Sequence, residues 1–142
     1  MTMLRPQTGA ITRPSPGPIS EPYWEGCRVG ELRFQRCDDC GGATHTPAVL
    51  CAHCASGALH WEVSTGRGTV YSWTTVWRPV TPAFEVPYQP VVVAMEEGFW
   101  FLSCLVDCDH EAVHEGLEVE VMFHALDDGF VLPYVRPRTP GD

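Results

Sequence analysis

The chain contains no lysine and no asparagine, and its nine basic residues are all arginine. Without lysine there is no amine for Schiff-base chemistry, and without asparagine a Cys-His-Asn hydrolase site cannot be assembled. No apolar run reaches the length needed to cross a bilayer as a helix. Basic charge is scarce too. Eighteen acidic residues against nine arginines leave a net charge of −9, which counts against nucleic acid as the main partner. The first twenty residues carry four prolines and no apolar signal core, so 1–20 reads as a flexible arm and not as a secretion signal.

What the chain does have is cysteine in a telling pattern. Cys37 and Cys40 form one C-x2-C pair, and Cys51 and Cys54 form a second after ten intervening residues. Two thiolates on each of two tight turns can converge at about 2.3 Å on one tetrahedral zinc. Gly41, Gly42 and Gly57 let the backbone turn its amides toward the sulfurs. A rubredoxin-type iron site and a pair of disulfides compete with zinc. A redox C-x2-C would need only one pair, placed at a helix start in a βαβ unit, and that context is missing. Four protein sulfurs leave no open position for water, so the expected metal holds the fold together and does not hydrolyse anything. With cysteines committed to metal, the expected compartment is the reducing cytoplasm.

At 142 residues the chain makes one domain or two small modules sharing a core. Thirteen prolines and thirteen glycines favour strands and turns over a helical bundle. Ser20 to Gly30 reads as a short helix, with Ser20 as its cap and Gly30 as its stop. Glu31 to Arg36 alternates as a strand leading into the first cysteine pair. Beyond the cysteines, Gly66-Arg67-Gly68 opens a long strand running to Trp77, and the glycines suit a bulge or tight bend better than a dinucleotide fingerprint. Pro90–Met95 and Phe99–Val106 form a hairpin across Glu96-Glu97-Gly98, Glu111 to Gly116 is a helical turn, and Leu117–Phe123 and Phe130–Val135 are further strands. Leu59–Val63 is counted as a candidate fifth barrel strand. The fold class expected is mainly β: a short N-terminal helix and a zinc ribbon over 21–60, a five-stranded Greek-key OB-type barrel over 61–137, and a tail over 138–142.

In this order the elements resemble the DUF35 family, a rubredoxin-like zinc ribbon joined to an OB-fold and associated with acyl-CoA metabolism. The resemblance runs from about Pro22 to Pro137. It rests on Pro22-Tyr-Trp-Glu25, Gly30-Glu-Leu-Arg-Phe-Gln-Arg-Cys37, the four cysteines, Gly66-Arg-Gly-Thr-Val-Tyr-Ser-Trp-Thr74 and Gly116-Leu-Glu-Val-Glu-Val121. It implies structural Zn2+ on Cys37, Cys40, Cys51 and Cys54. It also implies a non-catalytic accessory subunit beside a thiolase-fold enzyme, either a thiolase or a retro-aldol lyase of steroid side-chain degradation, with a role in shaping the acyl-CoA entrance. Some relatives are fused to MaoC-like hydratase domains, which makes such a hydratase a second implied partner. The alternative is a free-standing OB-fold and zinc-ribbon binding module for nucleic acid or another ligand.

No catalytic residue is assigned. Cys108 has Asp107 and Asp109 as neighbours, which blunts a thiol as a nucleophile. Cys104 lies in an apolar strand and reads as a small hydrophobe. His110 and His114, four apart, lack a third ligand. Arg67, flanked by glycines, and Arg78, at the start of a proline-studded loop, are the candidates for gripping CoA phosphate. Tyr23, Trp24, Phe84 and Tyr88 are the candidates for a partner interface.

Overall fold

The structure, a computed structural model, describes residues 2–139. Helix α1 spans Glu21–Arg28, and β1 (Arg33–Cys37), β2 (Ala43–Thr44) and β3 (Leu59–Val63) follow as a small antiparallel sheet in the order β2-β1-β3. A second sheet holds β4 (Arg67–Trp73), β5 (Pro90–Met95), β6 (Trp100–Cys104), β7 (Glu118–Ala125) and β8 (Val131–Pro137) in the order β6-β5-β4-β7-β8. Its two outer strands meet at Leu105 and Val135 through a parallel bridge, where the Val106 amide donates to the Val135 carbonyl at 2.8 Å. That closure curls the sheet into an OB-type barrel and removes much of its open edge.

Local chemistry explains most of the element ends. Gly30 adopts φ +81° after α1, and Pro22 sits in the first turn, where its missing N–H costs nothing. Ser20, expected as a side-chain cap, instead accepts from the Gly17 amide at 3.1 Å and makes no capping bond to the helix. The β5–β6 hairpin turns at Glu96–Gly98 with the Met95 amide donating to the Phe99 carbonyl at 2.9 Å. The helical turn expected at Glu111–Gly116 is a 3-10 turn at His110–Ala112, capped by the Asp109 carboxylate on the Glu111 amide.

Leu59–Val63 does not belong to the barrel. It pairs along its whole length with β1, Arg33 opposite Val63 through Cys37 opposite Leu59. All five barrel strands come from Arg67 onward, and the long strand expected to reach Trp77 ends at Trp73. Past that end, Val76 forms an isolated bridge with Tyr88.

The Gly-x-Gly at the start of β4 serves two purposes. Gly66 takes φ +77°, and a Cβ on Gly68 would lie 2.5 Å from the Ala94 carbonyl oxygen of β5. The register then shifts between Val70 and Ser72, so Tyr71 is an extra, outward residue.

One continuous core joins both sheets. Phe34 of the ribbon stacks on Phe99 of the barrel with ring centroids 4.9 Å apart, and Leu32, Ala43, Val70, Val93 and Phe101 belong to the same buried cluster. The segment read as an arm lies along this body. Leu4 is buried in the core, its amide donates to the Cys108 carbonyl at 2.8 Å, and Ile11 is buried as well. Of the tail expected at 138–142, residues 140–142 lie outside the described residues.

Candidate metal centre and surrounding surfaces

The four cysteines come from two turns at one end of the ribbon. Cys37 ends β1, the chain reverses through Gly41 at φ +74°, and the Cys37 amide donates to the Gly42 carbonyl at 2.9 Å. The second turn repeats the device, with Ala55 at φ +63° and the Ala55 amide donating to the Cys51 carbonyl at 3.0 Å. All four sulfurs lie within 4.8 Å of one another. The Cys37–Cys54 and Cys40–Cys51 pairs are each 3.6 Å apart. A disulfide needs about 2.05 Å, so these are separate thiols, whereas four sulfurs around zinc at 2.3 Å would stand about 3.8 Å apart.

Backbone amides are aimed at this cluster. The Gly42 amide points at Cys40 Sγ and the His53 amide at Cys51 Sγ, both at 3.3 Å. Amides from His53 and Cys54 pull the Cys51 thiol down to about 6, which favours the thiolate that a cation requires. The donor set, its spacing and its hydrogen bonds fit one structural metal ion. His53 is not part of it, for its Nε2 lies 2.8 Å from the Ala43 carbonyl.

Polar contacts tie the first turn to the neighbouring strands. Arg36 Nε donates to Glu62 at 3.0 Å, its Nη1 donates to the Gly41 carbonyl at 2.8 Å, and its guanidinium lies over the Phe34 ring. His60 bridges Asp38 and Glu62 at 2.6 Å each, and those two hydrogen bonds raise its pKa. Glu62 is therefore a member of a structural network and not an isolated carboxylate.

The remaining cysteines are quiet. Burial, and after it the carboxylates of Asp107 and Asp109, push the Cys108 thiol up to about 11. Burial alone does the same to Cys104, and Cys27 rises to about 12 for the same chief reason. His110 packs edge-on against Trp77 at 5.1 Å, and His114 Nδ1 sits 3.0 Å from the Glu115 carbonyl. Among the described residues only the four cysteines gather as a metal-binding group.

Arg67 and Arg78 are both exposed, but Arg67 begins β4 and Arg78 lies in the loop five residues beyond its far end, so the seven-residue strand stands between them. Arg67 also pairs in register with Glu120, and its carbonyl accepts from the Glu96 amide at 3.0 Å, so its surroundings are acidic. Tyr23 is buried against Trp24 and His45, only 7% exposed, and lines a shallow cavity with Trp24 and Trp100. Trp24 is half-buried and reaches the Phe130 ring at 5.4 Å. Phe84 and Tyr88 lie with their rings 5.6 Å apart, both half-buried.

The large exposed apolar side chains lie elsewhere. Tyr71, Trp100 and Leu102 point outward from the barrel, 52%, 59% and 70% exposed, and Tyr71 stacks on Trp100 at 4.7 Å. Phe99–Val106 carries no polar alternation to mark them, and the one sequence signal is the bulge implied by the glycines of β4. No helix of the described residues is long and apolar enough to cross a membrane.

Two family models match the chain consecutively. Residues 24–60 match the ChsH2 rubredoxin-like zinc ribbon domain, and residues 61–124 match the ChsH2 C-terminal OB-fold domain. The chain is 33% identical over 119 residues to the 3-oxo-4,17-pregnadiene-20-carboxyl-CoA hydratase alpha subunit of Mycobacterium tuberculosis, covering 84% of this chain and 38% of that protein. It is 34% identical over 117 residues to a DUF35 domain-containing scaffold protein of Pyrococcus furiosus, covering 78% of this chain and 85% of that one. The chain thus spans little more than a third of the length of the hydratase alpha subunits that it matches. Among solved structures, a chain of an Ltp2-ChsH2(DUF35) aldolase superposes with a TM-score of 0.79 at 30% identity, covering 88% of this chain and 98% of that one.

Proposed function

Because the chain belongs to the DUF35 family, with a ChsH2-type ribbon and OB-fold, we propose that it is a non-catalytic accessory subunit of an acyl-CoA enzyme. The partner is a thiolase-fold protein, a thiolase or a retro-aldol lyase acting in steroid side-chain degradation, and this chain stabilises it and helps form its acyl-CoA entrance. The observation that carries the reading is the superposition over nearly the whole length of a chain from an aldolase complex. The name of the mycobacterial hydratase subunit supports the steroid-CoA setting, and a MaoC-like hydratase is the second partner proposed.

The chemistry of the chain supports a role without turnover. Its thiols outside the cysteine cluster are raised well above neutrality, and among the described residues no nucleophile stands beside an oriented base. Cys37, Cys40, Cys51 and Cys54 hold one Zn2+ with all four positions filled, so the ion fixes the ribbon's turns and offers no site to a substrate. Arg67 and Arg78 meet CoA phosphates one at a time, Arg67 from the start of β4 and Arg78 from the loop beyond its far end, as the partner brings the cofactor to either one.

The test is co-purification with the thiolase-fold enzyme encoded beside this chain's gene, metal analysis of the complex, and turnover assays of both proteins apart and together. A stable complex with about one zinc per copy of this chain, active on an acyl-CoA that neither protein converts alone, is the expected result. A partner that is fully active without the chain, and that never binds it, would overturn the reading.

A further inference from the structure

The outer face of β4, β5 and β6 is uncharged on a chain whose net charge is −9. Tyr71, Val92, Trp100 and Leu102 occupy it, with Val92 directly opposite Leu102 in the register and Tyr71 stacked on Trp100. Two shallow cavities flank Leu102. One of about 420 Å³ runs between Trp24, Pro47 and Trp100, and one of about 350 Å³ runs between Pro90, Leu132 and Pro133. No Asp, Glu or Arg lines either of them, and His45 in the first stays neutral because burial holds it near 4. Charge returns at the margin, with Arg67 beginning β4, Glu118 and Glu120 of β7 opposite Thr69 and Arg67, and Glu96 just beyond β5.

An apolar centre with a charged margin is the anatomy of a protein interface. The three most exposed side chains present on the order of 400 Å² of apolar surface, about half of what one side of a standard complex buries. A contiguous apolar patch of this size is within the range of a monomer's largest patch, and such patches are often functional. Nucleic acid does not suit it: Tyr71 and Trp100 could stack on bases, but the face lacks the row of cations that must follow the phosphates. A second copy suits it poorly as well, since pairing would bring together two chains of net charge −9.

We infer that the face centred on Leu102 and Trp100 is the surface that docks onto the partner enzyme subunit, meeting an apolar patch there that carries cationic residues at its margin. This rests on the accessory-subunit reading and assigns the contact to the barrel's outer face in place of Phe84 and Tyr88, with Tyr23 only lining the first cavity. Leu102 is the ridge, the two cavities receive side chains from the partner, and the Tyr71–Trp100 stack supplies rigid aromatic area that loses little entropy on binding.

The experiment measures affinity between the metal-loaded full chain and the thiolase-fold enzyme encoded beside it, for wild type, Leu102→Asp, Trp100→Ser and the ribbon control Val49→Asp. Val49 is also highly exposed and lines neither cavity. Metal content and thermal midpoint of each variant establish that it is folded. Leu102→Asp and Trp100→Ser are expected to weaken binding about thirtyfold or more, with Val49→Asp unchanged. Wild-type affinity in both barrel variants would overturn the assignment of the face while leaving the accessory role standing. A wild-type homodimer that Leu102→Asp converts to monomer would give the face to a second copy and overturn the assignment also. A folded wild type that does not bind the enzyme at all would overturn the accessory reading, and the docking face would fall with it.

Discussion

The side-chain amide of Gln7 makes a two-way bond with the backbone of Glu85: Nε2 donates to the Glu85 carbonyl at 2.9 Å, and Oε1 accepts from the Glu85 amide at 2.8 Å. The backbone amide of Gln7 in turn donates to Tyr134 Oη at 3.1 Å. One glutamine thus fastens the N-terminal segment, the long loop after β4 and the last barrel strand together. Gln35 repeats the device in the ribbon, clasping Ala48 by both backbone groups at 2.9 and 2.8 Å.

Gln7→Ala is expected to free the 78–90 loop without unfolding the barrel. Amide exchange at Glu85 should accelerate while exchange in β4 and β5 stays slow, at a cost of about 1–2 kcal/mol in global stability. Leu4→Ala reaches the core itself, because Leu4 is 1% exposed, and should cost about 2–5 kcal/mol by denaturant titration. Unchanged stability in Leu4→Ala would show that the segment is not anchored.

His45 gives the chain an acid-side weakness. Burial among Tyr23, Phe99 and Phe101 lowers it from 6.5 to about 4. The unfolded chain takes up a proton between those values that the folded chain refuses. Stability therefore rises with pH from about 4 to 6.5 and is level above, with a slope of up to about 1.4 kcal/mol per pH unit from this group. His45→Phe should keep the aromatic packing and flatten that part of the curve; a variant with the wild-type slope would remove His45 as the cause.

The cysteine cluster was legible because its spacing is local, and the β5–β6 hairpin because glycine and alternation mark it. Partners distant in sequence were not. Leu59–Val63 has the pattern of a strand for either sheet, and only the register opposite Arg33–Cys37 assigns it to the ribbon. The first twenty residues carry no periodicity, so nothing announced that Leu4 and Gln7 would be buried. The run Phe99–Val106 is apolar almost throughout and so hides which of its faces is outward. Nothing in the pattern therefore marks Trp100 and Leu102 as surface, while Tyr23, paired with Trp24 between Glu21 and Glu25, has the look of an exposed aromatic.

Removing the metal should melt the ribbon first. Chelation or Cys40→Ser is expected to drop zinc from about one ion per chain to near none and to abolish amide protection in β1–β3. The thermal midpoint of the whole chain should fall with it, since Phe34 and Phe99 share one stack. Retention of β1–β3 protection without metal would contradict the structural role.

The two glycines of β4 should respond differently to a methyl group. Gly68→Ala forces its Cβ onto the Ala94 carbonyl and a Val93 methyl, and should cost about 1–3 kcal/mol or shift the β4–β5 pairing. Gly66→Ala makes only ordinary van der Waals contact with Val121, at 3.7 Å, but keeps φ +77°, a strain of about 1–2 kcal/mol. Thermal melts of both variants check the order.

The stack of Phe34 on Phe99 bears on how this protein can be recombined. The matches to ribbon and barrel meet between residues 60 and 61, an obvious place to splice a chimera from two relatives. A ribbon grafted there would bring its own residue to lie on Phe99, and a barrel grafted there would arrive without the ring that Phe34 covers. Exchange of modules at that junction is expected to succeed only where the incoming half completes the Phe34–Phe99 stack.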